Sequence, residues 1–133
     1  MSDLDEILEF LSSLSGERVT SVEVSYFCVT IEIVANICFV FKINKEFEFT
    51  VAGGQREVFD PSLIPGGVRN QSFPLINIIG ISIKEVKILG RDLIFFWSDG
   101  SSLCVKVAAA DFEPYIIMGY EASASELVFL HAA

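Results

Sequence analysis

The hydrophobic pattern changes period once, near Gly16. Before it, Leu4, Ile7, Leu8, Leu11 and Leu14 recur at helical spacing, which predicts a helix over residues 3–14. Ser2 is placed to cap it, the acidic first turn suits the helix dipole, and Gly16 is placed to stop it. After Gly16 the apolar residues alternate with polar ones. Val22, Val24 and Tyr26 form one such run; Val29, Ile31 and Ile33 form the next, interleaved with Thr30 and Glu32. Phe39, Phe41 and Ile43 follow, and then Phe47, Phe49 and Val51. A period of two in β-branched and aromatic residues is the mark of a half-buried strand. Strands resume at residues 83–89, 93–97 and 103–107, and a last one is expected near residues 127–130. Between them, Ser98-Asp99-Gly100 is a strong hairpin signal and is expected to form a type I′ turn.

Two stretches break the alternation. Residues 53–73 carry Gly53-Gly54, Asp60-Pro61, Pro65 and Gly66-Gly67, so a long loop is expected there, either a connector or a contact surface. Pro74 then opens the apolar run Leu75 to Ile79, closed by Gly80, which fits a short central helix. The predicted class is therefore α+β, with mainly antiparallel sheet of about eight strands, an N-terminal helix and a short central helix. A single domain over residues 1–133 is expected, since the length suits one core.

A shift of 64 positions lays residues 11–43 on residues 75–107 without a gap. Leu11 meets Leu75, Gly16 meets Gly80, Val22 meets Val86 and Lys42 meets Lys106. Short helix, glycine stop, strand and hairpin follow in the same order in both segments, which implies two similar helix–hairpin halves joined through loop 53–73.

Composition narrows the function. Hydrophobic residues make up 52% of the chain, enough to raise a membrane reading. No stretch approaches the roughly 20 consecutive apolar residues of a spanning helix. The most apolar run, Ile31 to Phe41, is cut by Glu32 and Asn36. The acidic start does not suit a secretory leader. Cys28, Cys38 and Cys104 are an odd set without metal-site spacing, expected as reduced thiols on strands, and the chain is expected in the cytoplasm.

With 9 basic and 18 acidic residues the formal net charge is −9, which disfavours a nucleic-acid partner and favours a basic one. The acids gather at both ends. Residues 1–17 and the stretch after Lys106 hold no Lys or Arg, and the latter contains Asp111, Glu113, Glu121 and Glu126.

Catalytic chemistry finds little to work with. The one histidine, His131, lies close to the C-terminus, where a frayed tail would hold a base poorly. No zinc or phosphate-loop motif occurs, so no metal, no cofactor and no catalytic residue is assigned. Glu23, Glu32 and Glu48 are read as solvated strand positions, and Trp97 as a core residue.

Specific residues also carry a resemblance. Leu14-x-Gly16-x-x-Val19-x-x-Val22 is followed by a hairpin and a loop. Ile79-Gly80-x-x-Ile83-x-x-Val86 comes next, then Leu93-x-Phe95 leading into Trp97-Ser98-Asp99-Gly100-Ser101-Ser102-Leu103, and then Phe112-Glu113-Pro114-Tyr115. Over roughly residues 14–131 this resembles a family of small bacterial domains of unknown function that occur beside polymorphic toxins, including contact-dependent growth inhibition systems. The family's aromatic segment reads Tyr-Glu-x-Trp; this chain keeps the aromatic spacing and has Tyr115 where the Trp would be. The resemblance implies an immunity protein that binds a cognate toxin domain and blocks its active surface. A nuclease toxin would present a basic surface, and Asp111, Glu113, Glu121 and Glu126 are the expected contacts. The same composition also fits a homo-oligomeric module whose apolar surplus covers a dimer face.

Overall fold

A computed structural model describes residues 4–25, 28–60, 75, 77–123 and 125–133. Helix α1 spans Leu4–Ser12, and a turn carries the chain on to Gly16. Ile7, Leu11 and Leu14 are buried as the helical pattern requires, whereas Leu4 is exposed. Phe10, off that apolar stripe, packs instead on Phe129 with ring centroids 4.6 Å apart. Gly16 adopts a φ of +87°, and its N–H donates to Ile83 O at 2.8 Å, so the glycine joins distant strands as well as ending the helical segment. Ser2 lies outside the described residues.

Ten strands follow: β1 Ser21–Ser25, β2 Cys28–Val34, β3 Ile37–Ile43, β4 Phe47–Thr50, β5 Arg56–Phe59, β6 Ile83–Leu89, β7 Asp92–Trp97, β8 Ser102–Val105, β9 Tyr115–Glu121 and β10 Leu127–Ala132. All pairings between them are antiparallel. They make two five-stranded sheets, in the orders β1-β2-β3-β9-β10 and β5-β4-β8-β7-β6.

Two strands depart from the sequence pattern. β5 occupies part of what reads as loop 53–73; only its Phe59 is buried, so it lacks the apolar repeat of a central strand. Residues 61–73 of that loop lie outside the described residues. β9 contains Gly119, a residue type that ordinarily weakens a strand interior. The glycine is tolerated because the ring of Phe129 fills its side-chain position: a Cβ there would lie 2.1 Å from Phe129 Cε1. Of the expected central helix, Leu75 is helical and residues 77 and 78 form a turn, while Pro74 and residue 76 lie outside the described residues. The hairpin at residues 98–100 is also not type I′. Asp99 does not have positive φ, Gly100 does (+91°), and Trp97 N–H donates to Ser101 O at 3.0 Å. That is a three-residue loop with glycine in the left-handed position. Asp99 Oδ1 secures it by accepting from the Ser101 N–H at 2.9 Å and Ser101 Oγ at 2.6 Å.

The inward phases of both sheets meet in one core. Val29, Ile31, Ile33, Phe39, Phe41 and Ile43 come from the first sheet; Phe47, Phe49, Leu93, Phe95, Trp97, Leu103 and Val105 come from the second. Phe41 meets Phe95 edge-on across the two sheets at 4.8 Å, and Phe95 stacks on Trp97 at 5.3 Å. Trp97 is core, as its strand phase predicts.

Connectivity ties the sheets together. After β3 the chain leaves the first sheet, and hairpin β4–β5 pairs on β8. After β8 it returns, and hairpin β9–β10 pairs on β3. The segment from Leu14 to Val19 also bonds to the segment from Ile78 to Ile83. Gly16 N–H donates to Ile83 O (2.8 Å) and Gly80 N–H to Val19 O (2.8 Å); Ile83 N–H donates to Glu17 O (2.7 Å) and Val19 N–H to Ile81 O (3.3 Å). No helix among the described residues is long and apolar enough to cross a membrane.

Candidate functional site

A recess with a volume of about 520 Å³ lies between α1 and the turn joining β2 to β3. One wall is a single helical stripe: Glu6, Glu9, Phe10 and Ser13, continued by Glu17 just past the helix. These positions recur every three or four residues, so they face one way. The opposite wall is Ala35, Asn36, Ile37 and Phe39 from the turn and the start of β3. Ser13 Oγ donates to Phe10 O and Ser12 Oγ to Glu9 O, both at 2.6 Å, tightening the helix end.

The floor is aromatic and fixed. Phe129 covers one face of the Phe10 ring and tilts against Phe39 at 5.6 Å. Phe129 is in turn seated on Gly119. Glu6, Glu9 and Glu17 therefore share the lining with apolar and aromatic side chains, and no Lys or Arg is among the lining residues described. The carboxylates are spread: among the described residues no group of three or more His, Cys, Asp or Glu is arranged to hold a metal ion.

The four carboxylates expected as contacts do not form one patch. Asp111 and Glu113 precede β9, and Glu121 and Glu126 stand at its far end. At ~3.4 Å per residue, the strand between them is about 20 Å long. Asp111 forms an ion pair with Lys45 and accepts from the Ala108 N–H at 2.7 Å; both contacts hold its carboxyl below the usual carboxylate range. Arg91 braces the same loop by donating to Ala108 O and Asp111 O. Asp111 thus closes the β8–β9 connection. Glu113 adopts a φ of +44° beside Phe112, which is 88% exposed. At the other end, Glu121 N–H donates to Glu126 O at 2.8 Å, and Glu121 pairs in register with Ile37, a wall residue of the recess. Two of the four expected carboxylates therefore sit at the end of the sheet that carries the recess.

The remaining candidates are accounted for by packing. Glu23 is exposed, and Glu48 lies 3.6 Å from both Arg56 and Lys106. The three cysteines are free and half-buried on strands, and burial pushes the thiols of Cys38 and Cys104 up. His131 is not on a frayed tail. It lies within β10, paired with Ile117, beside the Tyr115 ring at 6.1 Å, and burial pulls its pKa down.

Half of the recess is visible in the sequence, although pattern reading passes over it. The spacing of residues 6, 9, 10, 13 and 17 marks a second face on the first helix, with an aromatic residue off the core stripe. No family model, curated protein or solved structure matches the chain.

Proposed function

We propose that the chain is an immunity protein of the kind found beside polymorphic toxins, which binds a cognate toxin domain in the cytoplasm and covers its active surface. The observation that carries this reading is the acidic, aromatic-floored recess on a strongly acidic protein. A fixed apolar floor can supply binding energy, while carboxylates at its rim speed encounter with a basic surface and set orientation. The motif resemblance around Trp97-Ser98-Asp99-Gly100 points the same way. Co-expression with the toxin domain encoded immediately upstream tests the reading. Restored growth and a stable co-purified complex are expected; unrelieved toxicity without a complex would refute it.

A second reading, a homo-oligomeric module, draws on one observation. β10 is a sheet edge, and its Leu127 and Val128 are 50% and 41% exposed, as a strand awaiting another copy would be. Sedimentation over a range of concentrations distinguishes the two readings: a monomer throughout leaves only the first.

We also infer that the two halves are structural repeats that exchange their last hairpins. The support lies in hydrogen bonds that map onto each other under the shift of 64. Gly16-to-Ile83 becomes Gly80-to-Val19, and Ile83-to-Glu17 becomes Val19-to-Ile81. Leu14 N–H to Leu11 O corresponds to Ile78 N–H to Leu75 O, and the two glycines have φ of +87° and +83°.

A further inference from the structure

We propose that the recess between α1 and the β2–β3 turn is a socket for a basic side chain, arginine or lysine, projecting from the protein partner. The inference rests on the partner-binding role above and adds to it the place and chemistry of the central contact.

Three features of the recess select this occupant. Its volume of about 520 Å³ holds a side chain with some of its flanking residues. The size falls within the roughly 300–1,000 Å³ typical of sites that enclose a ligand. Its apolar lining of Phe10, Ile37 and Phe39 suits the methylenes of a long basic side chain, and the ring of Phe10 can face a cation. Its helix side offers the carboxylates of Glu9 and Glu17, where a charged head group would end. A second copy of this chain is the wrong occupant. A two-fold contact through this face would bring both sets of glutamates together.

The floor is also prepared before anything binds. Phe10 is held by Phe129, and Phe129 by Gly119 and Phe39, so little side-chain ordering remains to be done on docking.

The test uses the full-length chain, isotopically labelled, and a capped Gly-Arg-Gly-Arg-Gly peptide, with Lys and Glu versions for comparison. The Arg and Lys peptides are expected to shift signals of Glu9, Phe10, Ser13, Asn36 and Ile37 first, and the Glu peptide to shift none. Glu9→Gln and Glu17→Gln change exposed or half-exposed rim positions and keep side-chain shape. Each is expected to weaken peptide binding by up to about fivefold. Shifts spread evenly over every acidic surface, or binding untouched by Glu9→Gln with Glu17→Gln, would overturn the socket.

The same double variant is then measured against the co-expressed toxin domain. A complex that forms with parental affinity refutes the socket and leaves the immunity role standing. A peptide seated in the recess, with no toxin neutralised, refutes the role and leaves the socket standing.

Discussion

Gly119→Ala is a small change that should act far beyond its size. A methyl group in a strand interior would ordinarily help, since glycine there costs about 0.5–1 kcal/mol relative to alanine. At this position the new Cβ would lie 2.1, 2.5 and 2.8 Å from Cε1, Cδ1 and Cζ of Phe129. Real carbon contacts sit near 3.5–4.0 Å, so the ring must move by more than an ångström. It has little room, being 2% exposed, stacked on Phe10 at 4.6 Å and tilted against Phe39 at 5.6 Å. Overpacking of this kind costs about 1–3 kcal/mol. The ceiling is set by expelling the ring altogether, about 3–5 kcal/mol for a buried Phe. After the strand gain is subtracted, a net loss of about 0.5–2 kcal/mol is expected, a sizeable part of a typical domain's 5–15 kcal/mol. Urea unfolding followed by fluorescence of Trp97, the chain's one tryptophan, measures it. The cause is checked in a Phe129→Leu background, where the smaller side chain should relieve most of the penalty. A Gly119→Ala protein as stable as the parent, or a penalty that persists in full in the Phe129→Leu background, would refute the reasoning. Because Phe129 supports Phe10, the same variant should also weaken binding at the recess.

Three further outcomes are expected. Tyr115→Phe removes the hydroxyl that donates to Arg91 O at 2.7 Å, and should cost about 0.5–1.5 kcal/mol in urea unfolding. Burial pushes the Tyr115 phenol up to about 12, above its ordinary value of 10.0, so its contribution is complete below pH 10 and is lost as pH rises towards 12; Tyr115→Phe should flatten that alkaline slope. For Asp111 the sign is opposite. Its carboxyl is held down by Lys45 and the Ala108 N–H, so its contribution is complete above the ordinary carboxylate pKa and is lost as pH falls through the lowered one. An Asp111→Asn variant should lose most of its difference from the parent once the pH has fallen through that lowered pKa, read by acid titration of unfolding. Gly16→Ala and Gly80→Ala should each cost about 1–2 kcal/mol through strained φ alone, since a Cβ meets nothing within 4 Å at either site. Thermal unfolding of the pair should show similar losses, and a marked inequality would count against the repeat.

Much of the fold was legible because the strongest strands carry uninterrupted alternation. Phe39, Phe41 and Ile43, or Leu93, Phe95 and Trp97, leave no doubt about which face is buried. β5 and β9 escaped for different reasons. β5 buries only Phe59 and sits at a sheet edge, where one face has little to hide. β9 hides its inward position at Gly119 by borrowing a ring from β10, and no local rule reports a side chain supplied from ten residues away. The candidate site divides in the same way. The helical stripe from Glu6 to Glu17 is present in the sequence, but its opposing wall depends on sheet order, which only tertiary packing decides. Asp111, Glu113, Glu121 and Glu126 look like one acidic cluster when counted along the chain. An extended strand places the two pairs at opposite ends of β9.

The pairing of β3 with β9 and of β4 with β8 has a consequence for how the protein is made. On a ribosome, β1, β2 and β3 emerge early, yet the second neighbour of β3 is β9. Phe41 must wait for Ile117, and Ile43 for Tyr115, before the pairing along that edge can close. Meanwhile hairpin β4–β5 has nothing to pair with until β8 arrives. The nascent first half therefore carries an open edge and a row of uncovered phenylalanines, both invitations to aggregation. Contacts so distant in sequence also make folding slow. A chain built this way gains its native state late and all at once, and its yield in a cell should depend on chaperones that shelter the first half until the second is complete.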